Sequence, residues 1–120
     1  MHELSVCQAL IGQVERVARQ SDARRVVNIH VSVGPLSGVE PKLLEHAYPL
    51  AAAGTIAEGA ELLIETVPVV VRCRTCRAET EAAPNRLVCG SCRDWQVDVI
   101  AGEDMMLLRV EVETAAESVQ

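Results

Sequence analysis

Residues 4–20 place Cys7, Leu10, Ile11, Val14, Val17 and Ala18 at three- and four-residue spacing, with Gln8, Gln13, Glu15, Arg16 and Gln20 elsewhere around the wheel. That period predicts an amphipathic helix, ended by Ser21-Asp22. The period then changes to two: Val27, Ile29, Val31 and Val33 alternate with Asn28, His30 and Ser32, which predicts a half-buried strand. Gly34, Pro35, Ser37 and Gly38 predict a loop. Pro41 suits the first position of a second helix through Leu43, Leu44, Ala47, Leu50 and Ala51, stopping near Gly54. Pro49 removes one backbone bond inside it, so a kink or an early end is expected. Residues 61–67 predict a second strand. Residues 97–101 and 105–113 predict two more, joined at Gly102-Glu103-Asp104. In the last of these Met106, Leu108, Val110 and Val112 are expected inward, with Arg109, Glu111 and Glu113 outward.

Residues 69–95 carry all the cysteines except Cys7 and show little apolar periodicity. The order helix, strand, helix, strand, cysteine insert, strand, strand predicts an α+β fold whose sheet is interrupted by a metal module. The expected division is 1–68 plus 96–113 as one helix-and-sheet domain, 69–95 as the cysteine module, and 114–120 as a flexible tail.

Composition narrows the function. The chain of 120 residues has no Phe, one Tyr (Tyr48) and one Trp (Trp95), so its core is built from Leu, Val, Ile and Ala. Few aromatics and a net charge of -6 speak against nucleic-acid binding, which needs stacking platforms and basic surface. Met1-His2-Glu3-Leu4 lacks the basic region and apolar run of a signal peptide, and no stretch reaches the length of a membrane span. A soluble cytoplasmic protein is expected, in which thiols stay reduced and paired cysteines indicate metal or redox chemistry.

Cys73-x-x-Cys76 and Cys89-x-x-Cys92 stand twelve residues apart. A two-residue gap lets one tight turn aim both sulfurs at one ion, and two such knuckles complete a tetrahedron suited to Zn(II). Four thiolates leave no open position for water, so the predicted role is structural. Iron and a dithiol redox pair are the rival uses. A redox pair, however, ordinarily opens a helix after a strand, and these pairs lie in a loop-rich stretch. Arg72, Arg74, Arg77, Arg86 and Arg93, against Glu79, Glu81 and Asp94, are expected to offset the formal charge of about -2 on a zinc tetrathiolate. Arg77 and Arg93 follow the second cysteine of each knuckle, where zinc ribbons often place Gly.

The amino end offers a second site. With the chain starting at Met1, the terminal amine, the His2 amide nitrogen and the imidazole Nδ1 can chelate one ion in fused rings. Planar nitrogen donors suit Ni(II) or Cu(II). A histidine at position 2 does not by itself assign a metal.

Beyond these features, Met1-His2-Glu3-Leu4-Ser5, Gly34-Pro35-Leu36-Ser37-Gly38-Val39-Glu40-Pro41, Gly54-Thr55, Glu58-Gly59-Ala60-Glu61-Leu62, both cysteine pairs and Gly102-Glu103 follow one another along almost the whole chain. In that combination the sequence resembles the HypA/HybF-type nickel metallochaperones of hydrogenase maturation. Pro35 stands where an acidic residue is common, and the second knuckle, Cys89-Gly90-Ser91-Cys92, lacks the usual Pro. The resemblance implies a non-enzymatic carrier that binds transferable Ni(II) through His2, with Met1, the Glu3 backbone and Glu40 as further candidates, and structural Zn(II) through Cys73, Cys76, Cys89 and Cys92. It also implies two partners, a nickel-handling GTPase and the large subunit of [NiFe]-hydrogenase. The chain is expected as a monomer or a homodimer. The competing reading is a zinc-ribbon adaptor for a protein or nucleic-acid partner, without nickel. For the remaining residues, Cys7, Met105 and Met106 are expected to pack, Trp95 to lie against the zinc module, and His30 and His46 to be solvated.

Overall fold

In chain order the elements are α1 (His2–Gln20), β1 (Ala23–Val33), α2 (Pro41–Ala52), β2 (Glu61–Thr66), β3 (Val69–Cys73), β4 (Glu79–Ala82), β5 (Val97–Ala101) and β6 (Met105–Thr114). They come from a computed structural model that describes residues 2–114, with side chains from Glu3 onward. Met1 and residues 115–120, which hold most of the expected tail, lie outside the described residues. Two compact units divide the chain. The first comprises residues up to Val31, Glu40–Ile64 and the chain from Leu107; the second comprises Ser32–Val39 and Glu65–Met106. The cysteine segment 69–95 lies inside the second unit, which also takes in 32–39, 65–68 and 96–106.

In the first unit the helical stripe does what its period predicts: Cys7, Leu10, Ile11, Val14 and Ala18 are buried. Asp22 closes α1 in the left-handed conformation, φ 53°, and its amide donates to the Arg19 carbonyl at 3.3 Å. The stripe shares its core with Val26, Ile29 and Val31 of β1 and with Leu44, Tyr48 and Ala52 of α2. Two polar atoms enter that core and both are satisfied. Cys7 Sγ donates to the Leu44 carbonyl at 3.5 Å, and Tyr48 Oη donates to the Ala57 carbonyl at 3.0 Å. Burial, with a smaller contribution from Glu3, pushes the Cys7 thiol up, which makes it an inert core residue, as expected. Of the kink or early end expected at Pro49, the early end does not occur. The helix continues to Ala52, because a proline so near the end removes only one bond and the Pro49 carbonyl still accepts from the Ala53 amide at 3.2 Å.

One three-stranded sheet has the order β2-β1-β6 and the other the order β4-β3-β5. The second sheet corrects the strand assignment in two ways. Residues 69–95 contain the strands β3 and β4, and β5 pairs antiparallel with β3 rather than joining the first sheet, with Val71 opposite Val99 and Cys73 opposite Val97. β3 is its central strand and buries Val69, Val71 and Cys73. The Gly34 loop is fastened to this unit by two backbone hydrogen bonds. The Gly34 amide donates to the Asp104 carbonyl at 3.0 Å, and the Leu36 amide to the Gly102 carbonyl at 2.9 Å. A Cβ on Gly34 would meet the Gly102 oxygen at 2.3 Å, so only glycine permits this approach. The expected inward face of β6 also needs correction: Met106 is 57% exposed and Leu108 48% exposed, while Val110 and Val112 are half-buried. The apolar alternation does not hold one phase along the strand.

Candidate metal centre

The metal site begins where β3 ends. Cys73 closes the strand, and the chain turns so that the amides of Thr75 and Cys76 donate to Cys73 Sγ at 3.3 and 3.4 Å. The Arg77 amide returns to the Cys73 carbonyl at 3.1 Å. The second knuckle repeats this pattern. Ser91 and Cys92 donate to Cys89 Sγ, both at 3.3 Å, and the Arg93 amide donates to the Cys89 carbonyl at 3.0 Å. Each turn closes with a left-handed residue, Arg77 and Arg93, both at φ 67°. Arginine thus takes the conformation for which glycine is preferred, at a cost of about 1 kcal/mol each.

The two knuckles face each other. Cys73 Sγ lies 3.5 Å from Cys92 Sγ, and Cys76 Sγ lies 3.5 Å from Cys89 Sγ. All four sulfurs lie within 4.8 Å of one another. A tetrahedron with metal–sulfur bonds of about 2.3 Å has edges of about 3.8 Å, so the spacing fits one Zn(II)-sized ion. Cross-bonds set the distance between the knuckles: Thr75 Oγ1 donates to Asp94 Oδ2 at 2.5 Å, and the Arg74 amide donates to the Gln96 carbonyl at 2.9 Å. Neither Thr75 nor Asp94 has a sequence signal beyond standing within two residues of a cysteine.

Burial and charge divide the ligands. Cys73 and Cys89 are fully buried, whereas Cys76 and Cys92 are exposed. The amides aimed at their sulfurs, chiefly that of Cys76 for Cys73 and of Cys92 for Cys89, favour the thiolates; Cys89 falls to about 6. At Cys92 the Asp94 amide pulls down, but hydrogen bonding with the Cys73 sulfur, desolvation and the other sulfurs outweigh it and push the thiol up to about 12. The crowding of the sulfurs thus opposes a thiolate at Cys92 beside those that its neighbours favour. A divalent ion in place of the shared protons resolves this, and the donor set fits such an ion.

The arginines are not a uniform counter-charge. Arg72 pairs with Glu79, its register partner in β4, at 2.7 Å, and Arg74, in the turn after β3, pairs with Asp98 of β5 at 2.6 Å. Trp95, expected against the module, is instead 74% exposed, in the link between the second knuckle and β5.

At the amino end α1 starts at His2, with Glu3 in its first turn. Met1 and the His2 side chain lie outside the described residues. Glu3 and Leu4 line a concavity of about 290 Å³ with Leu43, His46, Ala47 and Leu50, and Glu40 is not among the lining residues. Glu40 is the exposed N-cap of α2, and its carboxylate makes no capping hydrogen bond. His46 is exposed, as expected. His30 is not simply solvated: its Nε2 lies 2.9 Å from Glu111 Oε1, which also accepts from Asn28 Nδ2 at 2.8 Å. No helix among the described residues is long and apolar enough to cross a membrane.

Comparison with known proteins agrees with this geometry. Residues 1–112 match the family described as hydrogenase/urease nickel incorporation, metallochaperone, HypA. The hydrogenase maturation factor HypA of Nitrosospira multiformis is 47% identical over 114 residues, covering 95% of this chain and 99% of that protein. Its counterpart in Aquifex aeolicus is 40% identical over 113 residues, covering 94% and 98%. In fold, the chain is similar to the solution structure of the Ni metallochaperone HypA from Helicobacter pylori, with a TM-score of 0.70 at 24% identity, covering 93% of this chain and 97% of that one. The chain belongs to the HypA family of nickel-incorporation metallochaperones, which carry a metal and are not enzymes.

Proposed function

We propose that this chain is a two-metal protein of [NiFe]-hydrogenase maturation. It holds one structural Zn(II) through Cys73, Cys76, Cys89 and Cys92, and one transferable Ni(II) at its amino end. The observation that carries the reading is the pair of matching knuckles, with four sulfurs within 4.8 Å, in a chain whose family handles nickel. A four-thiolate site is closed to exchange and gives up its ion reluctantly, so a cargo metal needs a second, open site.

His2 supplies the imidazole for that site, with the amine of Met1, the backbone of Glu3 and the Glu40 carboxylate as further donors. Local structure supports this choice. The first four amides of a helix have no intrahelical acceptor, so at the start of α1 the amides of His2 and Glu3 can serve a metal without breaking the helix. The nickel passes through a nickel-handling GTPase to the hydrogenase large subunit, in the cytoplasm, from a monomer or homodimer.

Nickel titration of the zinc-loaded chain by calorimetry tests the assignment. His2→Ala removes the imidazole and is expected to weaken nickel binding by at least about tenfold while zinc content and helicity stay unchanged. Extending the chain ahead of Met1 converts the amine to an amide and reports whether the amine is a ligand. Unchanged nickel affinity in His2→Ala would reject the site and return the zinc-ribbon adaptor reading.

A further inference from the structure

We propose that the concavity of about 360 Å³ lined by Arg86 and Arg93 on the metal module binds a carboxylate-rich peptide segment of a partner protein. The inference does not rest on nickel.

Charge is the first support. Residues 69–95 carry five arginines against three acidic residues, while the rest of the chain carries six cations against fourteen acidic residues. The acidic remainder of the chain repels an acidic partner, and the module, whose arginines also offset the formal charge of about -2 on a zinc tetrathiolate, is where such a partner is least opposed.

The second support is that these two guanidinium groups are uncommitted. Arg72 and Arg74 are held by Glu79 and Asp98. Among the described residues, neither Arg86 nor Arg93 is in an ion pair with a carboxylate.

The backbone holds both arginines firmly. Arg86 closes the tight turn Ala83-Pro84-Asn85-Arg86, with its amide on the Ala83 carbonyl at 3.0 Å and proline at the favoured second position. Arg93 closes the second knuckle in the left-handed conformation, where a glycine would fit without strain. Between them the Gly90 amide is fixed to Thr80 Oγ1 at 2.8 Å, which ties the knuckle to β4. Rigid guanidinium forks are suited to bidentate capture of carboxylates.

The remaining lining favours a peptide over a free phosphate. Val88 and Ala82 provide apolar wall for side-chain methylenes, and Glu81 at the same concavity repels a compact dianion. Carboxylates spaced along a peptide can meet each guanidinium separately.

The test uses the full zinc-loaded chain with no nickel added. The probe is a fluorescein-labelled peptide alternating glutamate and valine, read by anisotropy, with a glutamine counterpart and inorganic phosphate as comparisons. The glutamate peptide is expected to bind, more weakly as salt rises, and the glutamine peptide is not. Arg86→Gln and Arg93→Gly are each expected to weaken binding about tenfold or more with zinc still at one per chain. Arg16→Gln on α1, which makes the same change in net charge, is expected to leave binding unchanged. Arg93→Gly is the decisive variant because it relaxes the backbone while removing the guanidinium. Loss of zinc from it would assign Arg93 to balancing the thiolates and overturn the proposal. Parent-like binding by both cleft variants, equal weakening by Arg16→Gln, or displacement by phosphate as readily as by peptide would also overturn it.

Discussion

Thirteen of the described apolar and cysteine side chains that are buried belong to the first unit, from Cys7 through Val31 and on from Leu44 to Ala60. The second unit has five, Val33, Val69, Val71, Cys73 and Cys89, and two of those are the sealed sulfurs of the metal site. The first unit thus rests on apolar burial, at roughly 25 cal/mol for each Å² removed from water. With three buried valines, the second has too little of that surface to offset the entropy of ordering its loops, and its missing stability has to come from an ion. One chain therefore combines two ways of folding, and each predicts a different weakness.

The largest effect should come from removing the ion. Structural zinc in small modules contributes on the order of 10–16 kcal/mol of apparent binding free energy at neutral pH. Chelation, or Cys89→Ser at a fully buried ligand, should therefore disorder β3, β4, β5 and both knuckles. The helices of the first unit need no metal and should keep their far-ultraviolet signal. Amide spectra of the apo and zinc-loaded chains check this region by region. Loss of both units together, or a second unit that stays ordered without metal, would break the contrast.

An intermediate effect should come from the opposite change. Leu44 is fully buried in α2, and its carbonyl accepts from the Cys7 thiol. Leu44→Ala leaves a cavity between α1 and α2 and should cost about 2–5 kcal/mol of first-unit stability. Zinc stoichiometry should stay at one per chain, read by metal analysis beside urea unfolding followed by circular dichroism. A variant that also lost zinc would show that the metal module depends on the apolar core.

The same contrast explains what could be read from the sequence. The stripe of α1 and the start of α2 at Pro41 were legible because helices are local and their apolar faces repeat. The four cysteines were legible because metal chemistry requires a fixed spacing. The partner of β5 was not, since pairing with β3 spans more than twenty residues and nothing in Val97–Ala101 distinguishes one sheet from the other. β4 is four residues, Glu79–Ala82, too short and polar to show a period. The left-handed turns at Arg77 and Arg93 follow from knuckle geometry and run against residue preference. A lone aromatic beside a metal site suggests cover, but Trp95 is largely exposed, and a single residue carries no period that would tell the two apart. The division of the four thiols follows place in the knuckle, the first cysteine of each being sealed and the second exposed, and spacing alone carries no such information.

The smallest expected effect concerns acid. In the first unit Glu111 accepts from His30 and Asn28, and these bonds, that from His30 foremost, hold its carboxyl below the usual range. A carboxylate whose pKa is depressed by folding adds stability above its unfolded value of about 4.3, and that stability is lost as pH falls through the lower folded value. The group is exposed, so the contribution is small. Glu111→Gln should therefore lower first-unit stability slightly at neutral pH, and the variant and parent should converge in acid once the parent's carboxyl is protonated. The second unit obeys different chemistry, because protons compete directly with the ion for four thiolates, and it should fail at higher pH whether or not Glu111 is present. Urea unfolding at a series of pH values, followed by helical signal for the first unit and by zinc release for the second, separates the two limbs. A difference between parent and Glu111→Gln that stayed constant down to low pH would remove Glu111 as the source. A zinc-release profile that moved with Glu111→Gln would show that the two units share one acid transition.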